Sequence, residues 1–203
     1  MSIFWIVKSI KVRLSQLWLR IALYPKFGEF GSGSILNKPL NIYSPKNIFI
    51  GQNVSIQYFS WLTARAQTGE PAAKLVIKDG CRIGNFNHIY ATKSIVLEAN
   101  VLTADKVYIS DNLHSYDNIY MPIWQQPIRQ IGTVVVGEGS WLGENVCLIG
   151  ANIGKHSVVG ANSVVTRDIP DFSVAVGAPA YIIKRYNHKT NKWEQTNPDG
   201  SFL

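Results

Sequence analysis

Between Ile77 and Leu113 an aliphatic residue falls on every sixth position: Ile77, Ile83, Ile89, Ile95, Val101, Val107 and Leu113. No helix carries such a beat. At about 100° per residue, six steps turn about 600°, so successive apolar side chains land on different sides of a helix. Six is even, however, so in extended chain every residue on the beat points the same way. Small or turn-forming residues fill the intervals, as in Ile77-Lys-Asp-Gly-Cys-Arg and Ile83-Gly-Asn-Phe-Asn-His. The pattern predicts very short strands separated by corners and wound coil on coil, and a six-residue period is the signature of a parallel β-helix.

The beat first sounds in Ile48-Phe-Ile-Gly-Gln-Asn-Val54 and breaks over Gln57–Lys74 and again over Ser115–Gly132. It resumes at Val136, Leu142 and Leu148, loses one residue before Ile153, and runs on through Val159 and Val165. Ser140, Val146, Ser157 and Ser163 each sit four residues after a beat, where a tight corner admits only a modest side chain. Residues 28–47 are rich in Gly, Ser, Asn and Pro and read as loops with one or two strands. Ahead of them, Ile3, Ile6, Ile10, Leu14, Leu17 and Ile21 follow helical spacing until Pro25 stops the run. Beyond Asp168-Ile-Pro-Asp171 come a strand at Val174–Gly177, a segment from Ala178 to Arg185, and a polar tail. That tail is read either as a hairpin docked through Trp193 or as a loose end. The organisation is therefore an amphipathic helix (1–27), a coiled β body (28–186) and a tail (187–203). A coiled body needs capped ends. Its regular coils offer few concave sites, so loops or subunit interfaces must supply them.

The net charge of +7 favours anionic partners, and its distribution narrows the choice. Lys8, Lys11, Arg13, Arg20 and Lys26 all precede the first acid, Glu29. No basic stripe follows the coils, which argues against a nucleic-acid partner. The longest apolar run near the start, Ile3–Val7, is too short to span a bilayer. Residues 1–24 are read either as an interfacial helix on the inner membrane surface or as a packing element. A cytoplasmic protein, peripheral on that membrane in the first case, is expected. Cys81 and Cys147 sit within the repeats as small buried fillers of a reduced protein. No Cys/His cluster has zinc-ligand spacing, so no metal is expected.

His114 stands where the regular coil gives way to a loop rich in aromatics, and an imidazole is readily poised as a base near neutral pH. The run from Trp141 to Pro170, followed by Val176-Gly-Ala-Pro-Ala180, resembles the C-terminal half of the hexapeptide-repeat acyltransferases. Within them it is most similar to the galactoside/maltose O-acetyltransferase-like group, including surface-polysaccharide enzymes. The resemblance covers about residues 48–186.

It implies a left-handed parallel β-helix, mainly β, with three hexapeptides per coil, a homotrimer with sites between subunits, and acetyl-CoA as donor. It implies that His114 is the general base, that Asn85 binds the acceptor, and that Gly143, Ala161, Thr166, Arg167 and Lys184 bind the coenzyme. The aspartate that accompanies Asn85 in galactoside enzymes has no match, since Thr92 and Lys93 occupy that region. Asn112 stands where many relatives carry a first histidine, and Tyr181 where they carry an arginine. The implied reaction is direct O-acetylation of a sugar, in surface-polysaccharide or lipid-linked glycan synthesis. The alternatives are N-acylation of an amino-sugar nucleotide and a non-catalytic β-helix scaffold.

Overall fold

The structure, a computed structural model, describes residues 17–203. Residues 1–16, most of the expected N-terminal helix, lie outside the described residues. Residues 17–22 are helical. Leu19 is buried, and Leu23, Tyr24 and Phe27 pack against the core beneath the first coil. Leu17 and Ile21, which the expected stripe turns inward, are exposed together with Trp18. The reason is that the segment meets the β body only at its open end, where few side chains find a partner. No helix among the described residues is long and apolar enough to cross a membrane.

From Glu29 the chain winds through six coils, the first five of three short strands each. The first coil holds β1 (Glu29–Phe30), β2 (Ile35–Leu36) and β3 (Asn41–Tyr43), and the second β4 (Ile48–Ile50), β5 (Ser55–Ile56) and β6 (Trp61–Ala64). The third holds β7 (Lys74–Ile77), β8 (Arg82–Ile83) and β9 (His88–Ala91), and the fourth β10 (Ser94–Leu97), β11 (Leu102–Thr103) and β12 (Tyr108–Ser110). A hairpin of β13 (Asn112–His114) and β14 (Ile128–Gln130) interrupts the winding. The fifth coil holds β15 (Val134–Val136), β16 (Trp141–Leu142) and β17 (Cys147–Ile149). In the sixth, a bridge at Ile153 precedes β18 (Val158–Val159) and β19 (Val164–Val165). Then β20 (Ser173–Gly177), β21 (Ala180–Asn187) and β22 (Lys192–Gln195) complete the chain.

Strands stack into three faces. The first is β1-β4-β7-β10-β15, the second begins β2-β5-β8-β11-β16-β18-β20, and the third runs from β3 through β6, β9, β12 and β17 to β19. Pairing within these stacks is parallel, whereas β21 and β22 extend the second face antiparallel. The winding is left-handed, against the usual right-handed crossover. Inward side chains such as Leu36, Ile56, Leu75, Ile83, Ile89, Leu97 and Ile109 are fully buried and fill one continuous core. Each contributes roughly 1.5–3 kcal/mol of burial. Residues in the left-handed backbone region turn the corners between first and second faces, among them Asn53, Gly80, Asn100 and Gly139. These are the residue types that occupy that region at least cost.

Five readings of the sequence change. Residues 28–47 form a complete coil. β6 lies inside the supposed first interruption, so the true insertion is residues 65–73. The coil length is not a constant eighteen residues: Ile77 pairs with Leu97 and Ile83 with Thr103, a step of twenty, whereas Trp141 pairs with Val158 and Cys147 with Val164, a step of seventeen. The beat survives because two residues added near Thr92 shift it by an even number, and Ile95 lands on the inward position two earlier, level with Leu75. Leu113 is the exception, for it leaves the core and lies half-buried in the hairpin. Cys81 is buried, and its thiol, pushed up to about 11 chiefly by desolvation, donates to Glu98 O at 3.0 Å. Cys147 is partly exposed on the outer side of the third face, and both cysteines are free.

Candidate active site

The corner between the third and first faces collects every insertion. The 3-10 turn Pro45–Asn47, residues 65–73, Thr92 with Lys93, and the hairpin with its loop all leave the coils there. The other two corners are too tight to release the chain. This edge is where loops can enclose a ligand.

Asp111 anchors the edge. Its carboxylate is fully buried, and the N–H groups of Thr92 (2.8 Å), Lys93 (2.8 Å) and Ser94 (2.9 Å) donate to it. Asn112 Nδ2 adds a fourth N–H donor at 3.0 Å, and the Thr92 hydroxyl lies 2.9 Å away. The same hydroxyl is 2.8 Å from Gln130 Oε1, while Gln130 Nε2 donates to Asp111 O at 2.8 Å and to Gly132 O at 2.6 Å. Thr68 Oγ1 donates to Gln130 Oε1 at 2.8 Å, so the first insertion is tied to the root of the second. A Lys93–Glu70 ion pair at 2.9 Å joins them again.

Two residues beyond Asn112, His114 ends β13 paired with Ile128, and its side chain is exposed. Beyond it, the buried Gln126 amide donates to Asn118 O and Met121 O, both at 2.9 Å. That brace holds a loop whose Ile119, Tyr120 and Trp124 are 82%, 91% and 76% exposed. His114 thus projects from a firmly rooted ribbon beside an apolar rim.

Asn85 lies at the other edge of the third face, in the corner between β8 and β9. Its Nδ2 is 3.1 Å from both carboxylate oxygens of Asp105, and its Oδ1 accepts from Tyr58 N–H at 3.2 Å. One chain therefore does not bring Asn85 and His114 together. Between them the third face carries an aromatic ladder: Trp61 stacks on His88 at 4.5 Å, and Tyr108 meets His88 edge-on at 5.3 Å. Burial pushes the His88 imidazole below its ordinary pKa, and its Nε2 is buried without a partner among the described residues.

The positions expected to bind the coenzyme divide into three groups. Gly143 and Ala161 stack at the corner between second and third faces, where a Cβ on Gly143 would sit 2.6 Å from Ala161 N. Coil stacking alone thus demands glycine there. Thr166 and Arg167 line a cavity of about 1010 Å³ beside Pro179 and Tyr181. Lys184 sits on β21, paired with Val174. The sequence reading missed Asp111, Thr92 and Gln130. A lone Asp just before a broken beat was the available signal, but its burial arises only when coils stack.

No protein-family model matches the chain. It is 38% identical over 128 residues to an Escherichia coli K12 protein provisionally named lipopolysaccharide biosynthesis O-acetyl transferase WbbJ, covering 60% of this chain and 65% of that one. The chain thus spans just under two thirds of that relative. It is 36% identical over 163 residues to a provisionally named acetyltransferase of Saccharomyces cerevisiae S288c, covering 80% of this chain and 68% of the other. Among solved structures it resembles AntD, an N-acyltransferase from Bacillus cereus in complex with dTDP and 3-hydroxybutyryl-CoA. That likeness has a TM-score of 0.68 at 21% identity, covers 82% of this chain and 87% of that one, and concerns the fold.

Proposed function

The chain belongs to the hexapeptide-repeat acetyltransferases, and from that premise we propose that it transfers an acetyl group from acetyl-CoA to a sugar hydroxyl. The acceptor class is a surface polysaccharide or a lipid-linked glycan precursor, in keeping with the name of the Escherichia coli relative. The observation that carries the reading is His114: an exposed imidazole on a ribbon rooted by Asp111 at the one edge where loops gather. His114 takes the proton of the acceptor hydroxyl as its oxygen attacks the thioester carbonyl. The C–S bond breaks, and the departing thiolate takes the proton back from the imidazolium. No acyl-enzyme forms. Arg167 and Lys184 meet the phosphates of the donor, with Gly143, Ala161 and Thr166 along its arm. Asn85 reaches the acceptor from a second copy.

His114→Ala is expected to lower kcat with acetyl-CoA and a glycan acceptor by roughly 10²–10⁴-fold. A loss under tenfold, with circular dichroism unchanged, removes His114 as the base. Offering amino-sugar nucleotides in the same assay tests N-acylation, which is selected if amines react and hydroxyls do not. If the protein fails to bind CoA at millimolar concentration, the scaffold reading takes over.

The working unit in this proposal is a homotrimer meeting through the third face. Its strands carry no Lys, Arg, Asp or Glu, so identical copies with net charge +7 approach there with least repulsion. Exposed Leu17, Trp18 and Ile21 beside Arg20 support contact of residues 1–24 with an anionic inner-membrane surface. Deleting residues 1–24 should release the protein from anionic liposomes. Unchanged co-sedimentation would make the segment a packing element.

A further inference from the structure

The tail beyond the coils folds back on the second face and reaches the cavity at its end. Ile182 N–H donates to Pro198 O at 3.2 Å, and Arg185 Nη1 donates to Gly200 O at 3.3 Å. Gly200 is buried against Ile182, and a bridge joins Thr196 to Phe202. These contacts place Pro198 and Asp199 on the wall of the cavity of about 1010 Å³ that Thr166, Arg167, Pro179 and Tyr181 also line.

Two carboxylates face this space, and they are not equivalent. Asp168 is occupied by its own corner: Asn152 N–H donates to Oδ1 at 2.7 Å, and Asn152 Nδ2 lies 3.3 Å from both oxygens. Asp199 Oδ1 accepts from Ser201 N–H (2.9 Å) and Oγ (2.8 Å), which leaves Oδ2 without a partner among the described residues. The backbone and hydroxyl bonds from Ser201 hold this carboxyl below the ordinary carboxylate range, so it stays ionised at neutral pH. The cavity therefore offers a guanidinium for an anion, flat surfaces at Pro179 and Tyr181 for a ring, and one ionised acceptor for an N–H or O–H donor. A nucleoside bearing phosphate groups has all three complements.

We propose that Asp199 is a specificity contact for the nucleoside end of the acetyl donor, accepting a hydrogen bond from the base amino group or a ribose hydroxyl while Arg167 takes phosphate. This rests on the acetyl-CoA reading and assigns the tail a part in it. The carboxylate repels phosphate, so it also sets the direction in which the nucleotide lies. Because the tail begins after the last coil, this contact belongs to the tail and not to the repeat.

The test compares acetyl-CoA with acetyl-pantetheine, which lacks the nucleotide, in Asp199→Ala and Asp199→Asn. The expected result is a fall of about tenfold in the ratio of kcat/KM for acetyl-CoA to that for acetyl-pantetheine, through KM for acetyl-CoA, since one hydrogen bond to a charged group is lost. Equal loss with both donors makes the tail a brace and overturns the proposal, as does an unchanged ratio. Tighter binding of acetyl-CoA by Asp199→Asn would put the carboxylate against phosphate and overturn it too. If the wild type transfers acetyl from neither donor, the acetyl-transfer reading fails separately. Calorimetric titration with 3′,5′-ADP then decides: weaker binding by Asp199→Ala supports the contact, and equal binding overturns it.

Discussion

Four N–H groups and a hydroxyl converge on the carboxylate of Asp111, a residue with no exposed surface, at the point where the chain leaves the coils. Truncating it strands those donors in a buried corner and loosens the ribbon that carries His114. Asp111→Ala is expected to cost roughly 2–4 kcal/mol, since hydrogen bonds to charged groups and their unsatisfied remainders dominate the change. Urea denaturation measures it, and a cost below about 0.5 kcal/mol, the level of an ordinary surface substitution, would deny Asp111 the anchoring role. His114 was legible in the sequence because the beat stops beside it and its residue type suits proton transfer. Asp111 was not, because what makes it an anchor is the backbone of Thr92, Lys93 and Ser94, nearly a coil away along the chain.

At the scale of the element, the third face carries an aromatic ladder around a buried imidazole. Parity along β9 turns Ile89 into the core and leaves His88 and Tyr90 outward, where Trp61 and Tyr108 cover the imidazole. Burial lowers the His88 pKa, so the fold holds it neutral. The unfolded chain binds a proton below about pH 6.5, whereas the folded chain binds one only at lower pH. Stability is therefore full above about pH 6.5 and falls as pH drops from there towards the folded pKa. The thermal midpoint of the wild type should decline on acidification across that window more steeply than that of His88→Phe. Parallel curves would show that His88 does not titrate in the fold as its burial requires. Alternation of inward and outward residues was readable in advance. Which outward residues cover one another was not, since cross-coil neighbours lie about twenty positions apart.

Across the whole molecule, the coils stack in one dimension while three faces look outward, and only the third lacks formal charge in its strands. Trp61→Glu places a carboxylate on the second strand of that face. If the copies meet there, light scattering should show the trimer giving way to monomer, with activity lost because Asn85 and His114 no longer share a site. A trimer that persists would move the interface to another face. The same scale explains the two edges of the proposed machinery: Asn85 and His114 stand at opposite corners of one face, an arrangement that a single coil cannot change.

The sequence by itself determined the class of fold. An even-numbered beat of aliphatic residues with small corner residues has no stable home except short strands packed inward, and parity is a local property of extended chain. It also pointed to His114 and to the Thr166–Arg167 corner through family resemblance. Only the tertiary structure decided that the third coil is twenty residues long, because an insertion of two preserves parity and so leaves no mark on the beat. Only it could show that residues 28–47 form a coil, that the tail is a hairpin with Trp193 against Tyr186 at 5.8 Å, and that Asp199 returns to the cavity. Those outcomes depend on contacts between residues remote in sequence, where burial and hydrogen bonding are settled by what the neighbouring coil presents.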